Sequence, residues 1–82
     1  MLKLLYFMKL AEIIGTSQEE IQMPQGLVNV GELLRWLGQR GEQYRTALGD
    51  GSNFQVTINK KFVDTASAVK DGDEIAFFPT GR

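Results

Sequence analysis

Residues 29–41 read Asn29-Val30-Gly31-Glu32-Leu33-Leu34-Arg35-Trp36-Leu37-Gly38-Gln39-Arg40-Gly41, and the fold turns on this stretch. Val30, Leu33, Leu34 and Leu37 fall at i, i+3, i+4 and i+7, the spacing that lines one side of an α-helix. Asn29 can cap the start through its side-chain oxygen. Glu32, three residues on, is placed as the reciprocal partner of a capping box. Gly41 is placed to end the helix. Arg35, Gln39 and Arg40 lie off the stripe, and Trp36 falls at its edge. A helix with one apolar stripe needs one apolar surface to cover, and the rest of the chain supplies it as strands.

Upstream, Leu2 to Met8 alternates as a first strand, with Leu2, Leu4, Tyr6 and Met8 on one face and Lys3, Leu5, Phe7 and Lys9 on the other. Lys9 to Ile14 suits a short helical turn closed by Gly15. Ser17 to Met23 is a second, more polar strand with Ile21 and Met23 on one face, stopped by Pro24. Downstream, Glu42 to Leu48 adds a weaker helical turn, and Gly49-Asp50-Gly51-Ser52-Asn53 is a loop. Phe54, Val56 and Ile58 face inward on a third strand. Asn59-Lys60-Lys61 turns the chain into a short strand at Phe62–Val63. Glu74 to Phe78 is the last strand, closed by Pro79. The order ββ, helix, ββ, β gives an α+β fold of the β-grasp (ubiquitin-like) type. Its mixed sheet has about five strands, with one main helix across one face and the first and last strands side by side in the centre. Residues 1–79 form this domain and 80–82 a C-terminal tail.

Composition narrows the function. The chain has 82 residues, 43% of them hydrophobic, enough for one small domain that buries ~60–65% of its unfolded surface. It has no Cys and no His. That removes thiol nucleophiles, Ser-His and Cys-His dyads, disulfides, zinc fingers and the cysteine-ligated cluster of a β-grasp ferredoxin. Nine Lys+Arg against ten Asp+Glu give a net charge of −1, without the basic excess that draws a protein to nucleic acid or to anionic membrane. The apolar run Leu4 to Met8 is too short for a secretory core or a membrane span, so the sequence reads as cytoplasmic. Asp71, Asp73 and Glu74 flank Gly72 as a solvated turn rather than a metal site, and no bound cofactor is expected.

The alternation has an unusual consequence. If Leu4, Tyr6, Ile75 and Phe77 are core, then Leu5, Phe7, Ala76 and Phe78 lie on the open face, and Phe62 joins them. An open sheet face is ordinarily polar. Singly exposed hydrophobic residues are common, but adjacent central strands bring Leu5, Phe7 and Phe78 into one patch, the signature of a partner-binding face. Lys60 and Lys61 read as a hairpin tip beside it, able also to steer an acidic partner.

Three segments carry a resemblance to a known family: Leu4-Leu5-Tyr6-Phe7-Met8-Lys9-Leu10-Ala11-Glu12-Ile13-Ile14-Gly15, Val56-Thr57-Ile58-Asn59-Lys60-Lys61-Phe62-Val63, and Lys70-Asp71-Gly72-Asp73-Glu74-Ile75-Ala76-Phe77-Phe78-Pro79. In order and spacing they resemble the MoaD family, the ubiquitin-like sulfur-carrier subunits of molybdopterin synthase. The resemblance implies a non-catalytic carrier whose flexible Gly-Gly tail is adenylated by an E1-like enzyme and becomes a C-terminal thiocarboxylate. The tail then enters the large catalytic subunit and delivers sulfur to a pterin precursor of molybdenum cofactor. The apolar face, at Phe7, Phe62 and Phe78, docks the partners.

The close, Pro79-Thr80-Gly81-Arg82, departs from that pattern. Gly81 stands as the candidate remnant of the tail glycines, and Arg82 puts a guanidinium where a bare glycine carboxylate enters. The tail is about two residues short, which at ~3.3–3.6 Å per extended residue takes roughly 7 Å from its reach. If Arg82 is the mature end, adenylation and entry are expected to be poor. Three readings stay open: a chain that natively continues, a tail processed in the active form, and a paralogue that is a non-thiolated interaction module. So does sulfur carriage for another pathway, such as thiamine synthesis or tRNA thiolation.

Overall fold

A computed structural model describes residues 1–49 and 54–80. The loop expected at Gly49 to Asn53 therefore lies outside the described residues except for Gly49. The chain runs β1 (Leu2–Tyr6), α1 (Lys9–Ile14), β2 (Gln18–Ile21), α2 (Val30–Arg40), α3 (Glu42–Leu48), β3 (Phe54–Ile58), β4 (Lys61–Val63) and β5 (Glu74–Pro79). The strands make one mixed sheet in the order β2-β1-β5-β3-β4. β1 and β5 pair in parallel at its centre, with Leu4 opposite Ile75 and Tyr6 opposite Phe77, and every other pairing is antiparallel. This is the β-grasp architecture that the element order leads to.

One face is closed by helices. Leu2, Leu4, Tyr6, Phe54, Val56, Ile75 and Phe77 pack from the sheet against Val30, Leu33 and Leu37 of α2. The Phe77 ring sits between Tyr6, stacked at 5.6 Å, and Phe54, edge-on at 5.4 Å. Burying one such large apolar side chain is worth about 1.5–3 kcal/mol, so the stripe of α2 fixes its position. The cover is broader than one helix: α1 adds Leu10 and Ile14, and α3 adds Tyr44, Ala47 and Leu48. Trp36 is partly buried at the core's edge.

The caps follow the sequence with one shift. Asn29 Oδ1 accepts the backbone N–H of Glu32 at 2.9 Å. The Glu32 carboxylate, however, accepts from the N–H of Val28 at 2.7 Å, one residue before the cap, while the Val28 carbonyl and the Val30 N–H bond to Val69 and Ser67 across the Asn29–Ala68 bridge. Gly15 closes α1 in the left-handed conformation, φ 99°, which glycine adopts without a Cβ clash.

A polar clasp holds the β2 edge to the helices. Glu19 is only 18% exposed; it accepts the hydroxyls of Tyr6 and Tyr44 at 2.8 and 2.9 Å and pairs with Arg40 at 3.0 Å. The Arg40 guanidinium also lies over the Trp36 and Tyr44 rings. Burial by itself would raise the Glu19 pKa, but the hydrogen bonds from Tyr6, Tyr44 and Arg40 outweigh it and hold the carboxyl below its usual range. Burial and the same carboxylate push both tyrosine hydroxyls up.

A group whose folded pKa is depressed stabilises the fold above its unfolded pKa, here near 4.5, and that stability is lost as pH falls through the folded value. Glu19→Gln should therefore lower the urea-unfolding free energy by about 1–3 kcal/mol at pH 7. The gap from the parent chain should narrow steadily as the pH is brought below about 4. A gap as wide at pH 3 as at pH 7 would show that ionisation of Glu19 is not what holds the clasp.

Candidate functional site

Among the described residues the opposite face of the sheet carries no helix, and strand register orders its residues into rows. At one end Lys3 stands between Glu20 and Glu74, an exchange of charges suited to solvent. In the middle row Leu5, Ala76, Thr57 and Phe62 lie side by side across β1, β5, β3 and β4. At the far end, where β5 runs out at Pro79, the Phe7 ring stacks on Phe78 with centroids 4.4 Å apart and planes 7° from parallel. Phe62 leans toward the same Phe78 ring at 6.3 Å. The face is thus charged where β1 begins and aromatic where β5 ends.

The rings are not covered. Phe7 is 37% and Phe62 70% exposed, and Leu5 and Phe78 are half-buried. Offset aromatic pairs carry large contact area with little rotamer entropy to lose, which suits them to anchor an interface. Among the described residues the row formed by Phe7, Phe78 and Gln55 holds no ionisable side chain, so it offers apolar contact and shape rather than acid–base chemistry.

Two of the residues expected to contact a partner are presented differently. Ala76 lies on it but is only 4% exposed, because it is flanked in register by Leu5 and Thr57; it is floor, not contact. Lys61 opposes Ile58 while Phe62 opposes Thr57, so alternation turns Lys61 toward the helix-covered side. Lys60 is the exposed tip of a two-residue hairpin, with Asn59 and Lys60 at φ 53° and 74°, the doubly positive pattern of a type I′ turn. Gly81 and Arg82 lie outside the described residues.

Sequence reading missed Met8. The alternation Leu2, Leu4, Tyr6 extends to it and places it in the core, yet β1 stops at Tyr6 and Met8 is 76% exposed. The chain leaves the sheet through a tight turn closed by the Leu10 N–H to the Phe7 carbonyl at 3.1 Å. Met8 sits at φ 56°, ψ −131°, the first central position of a type II′ turn, ordinarily glycine. No glycine or proline marks the turn, so nothing in the local sequence signals it.

Asp71 and Asp73 are engaged in holding the 71–74 turn. Asp71 pairs with the N-terminal ammonium, which lowers its pKa. Asp73 accepts from Asn59 Nδ2 at 3.0 Å and from the Lys70 N–H at 2.8 Å.

Comparison with known proteins agrees with the fold. Residues 4–81 match the ThiS family. The chain is 38% identical over 79 residues to the molybdopterin synthase sulfur carrier subunit of Haemophilus influenzae, covering 96% of this chain and 94% of that one. To the protein of the same name from Escherichia coli it is 30% identical with the same coverage. Among solved structures, SAMP1 from Haloferax volcanii superposes with a TM-score of 0.80 at 25% identity, over 98% of this chain and 94% of that one.

The two faces should respond oppositely to mutation. Phe62→Ser should change the unfolding free energy by no more than about 0.5 kcal/mol, whereas Phe77→Ala should cost about 3–5 kcal/mol. Urea denaturation of the two variants checks this; comparable losses would mean that the Phe62 ring is packed.

Proposed function

The chain belongs to the ThiS family, and with its MoaD-type relatives to the ubiquitin-like sulfur-carrier subunits of molybdopterin synthase; from that membership we propose how it carries sulfur. The observation that carries the proposal is the stacked Phe7–Phe78 pair at the end of the sheet where β5 gives way to the tail. Docking by this face sets the tail's starting point against the partner, so the terminal carboxyl enters the partner's active site with a short search.

The chemistry resides on that terminal carboxyl. An E1-like enzyme joins it to AMP, releasing pyrophosphate from ATP. Sulfur at the sulfide level then displaces AMP, the acyl–phosphate bond giving way to an acyl–sulfur bond, and the carboxylate becomes a thiocarboxylate. Inside the large catalytic subunit its sulfur bonds to a carbon of the pterin precursor as a C–O bond of that carbon breaks and the oxygen leaves. Water cleaves the acyl–sulfur bond and returns the carboxylate, and the dithiolene of molybdenum cofactor is built from the sulfur delivered. Each step draws its catalytic groups from the partners, which is why a carrier without Cys or His suffices. Leu5, Phe7, Phe62 and Phe78 supply the contact area. Lys60, at the exposed hairpin tip, raises the association rate with an acidic partner surface more than it raises affinity.

Incubating the full native chain with the E1-like enzyme, ATP and a sulfur donor should add the mass of one oxygen-to-sulfur exchange, located at the C-terminus by mass spectrometry. An unchanged mass overturns the carrier reading. Phe78→Ser should weaken binding to the large subunit at least about tenfold, a loss of roughly 1.4 kcal/mol, while leaving the thermal unfolding cooperative; isothermal titration calorimetry measures the first and circular dichroism the second.

A further inference from the structure

Met8 occupies a backbone conformation that works against the fold. Among the described residues three that are not glycine have positive φ: Met8, Asn59 and Lys60. The last two are explained by their two-residue hairpin. Met8, at φ 56° and ψ −131°, lies instead in a region that is hard for any residue with a Cβ. The same chain reaches that conformation a second time, at φ 54° and ψ −134°, and uses Gly49 there. Glycine would make the Met8 turn without the clash.

Among the described residues, no core contact of the Met8 side chain offsets the strain. The Met8 side chain is 76% exposed, more than that of Phe62 at 70%, and it takes no part in the core. Its position is nonetheless tightly fixed. On one side the Phe7 N–H bonds to the Phe77 carbonyl at 3.1 Å, and on the other the Phe7 carbonyl accepts from Leu10. Met8 also starts α1, its carbonyl accepting from the Ala11 N–H at 3.1 Å. A flexible, polarizable thioether is thus held in solvent next in chain to the stacked Phe7–Phe78 pair. Methionine suits contact with an apolar or aromatic surface whose outline it must follow.

We propose that Met8 is a contact residue of the docking face, its thioether packing into an apolar pocket on the large catalytic subunit beside the entrance that receives the tail. The inference rests on the docking reading above, with which the Met8 position is continuous through Phe7. It makes this turn a place where stability is given up for binding, so that the two respond to mutation with opposite sign.

The test measures binding to the large subunit by isothermal titration calorimetry, and thermal unfolding, for Met8→Gly, Met8→Ala, Met8→Leu and Phe7→Ser. Met8→Gly should raise Tm by about 4–8 °C and still weaken binding about tenfold, which unfolding cannot explain. Met8→Ala keeps the Cβ but removes the thioether; it should leave Tm near that of the parent chain and weaken binding by a similar factor. Met8→Leu should bind within about threefold of the parent. If Met8→Gly and Met8→Ala both bind within twofold of the parent while Phe7→Ser loses binding, Met8 lies outside the interface and this inference alone is overturned. If Phe7→Ser also binds like the parent, the docking reading falls and takes the inference with it.

Discussion

The parallel pairing of β1 with β5 is the constraint from which the rest of the molecule follows. Both strands are apolar at nearly every position, and side chains alternate across a sheet with a period of two. Pairing Leu4 with Ile75 and Tyr6 with Phe77 therefore sends one set of large residues under the helices. The same register sends Leu5, Phe7, Ala76 and Phe78 to the other side. A slip of one residue would exchange the sets. Core and open face are thus two consequences of one register.

The two faces divide the physical tasks. On the helix side, packing of Tyr6, Phe54 and Phe77 against α2 supplies the stability, and the Glu19 clasp ties the edge strand β2 to α2 and α3 through Tyr6, Arg40 and Tyr44. The open side contributes less to folding and leaves aromatic surface in water. Its charged row around Lys3 faces solvent readily; its aromatic row does not, and exposed apolar patches of this kind mark a partner. That the aromatic row lies at the end where β5 terminates matters most, because in the proposed function docking and tail delivery then share one end of the sheet.

In the proposed function the reactive atom sits on the main-chain terminus, and the domain, which has no Cys and no His, serves as contact surface. Selection then acts on contact surface and on the exit direction of the chain. The titratable groups with shifted pKa values fit this division. Tyr6, Glu19 and Tyr44 belong to the clasp, and Asp71 to the N-terminal ion pair; none lies in the aromatic row.

Much of this was legible in the sequence, for local reasons. The stripe Val30, Leu33, Leu34, Leu37 specified α2, because helical periodicity is a property of neighbours along the chain. Strand alternation separated Phe7 and Phe78 from Tyr6 and Phe77, and the closing Asp71-Gly72-Asp73-Glu74-Ile75-Ala76-Phe77-Phe78-Pro79 identified the family. Distance across strands decided what the sequence could not. Ala76 loses its expected exposure and Lys61 its expected facing, because both depend on which residue stands opposite in the register, Thr57 and Ile58 respectively. The Tyr6–Glu19–Tyr44–Arg40 clasp joins residues up to 38 positions apart in the chain, which no local pattern encodes. Met8 continues a strand pattern in the sequence, yet tertiary packing of α1 and the pinned Phe7 backbone turn the chain there. The sequence by itself determined the periodicities and therefore the elements and their apolar faces; the tertiary structure decided which of those faces stays uncovered, because only the sheet register sets what lies across from each side chain.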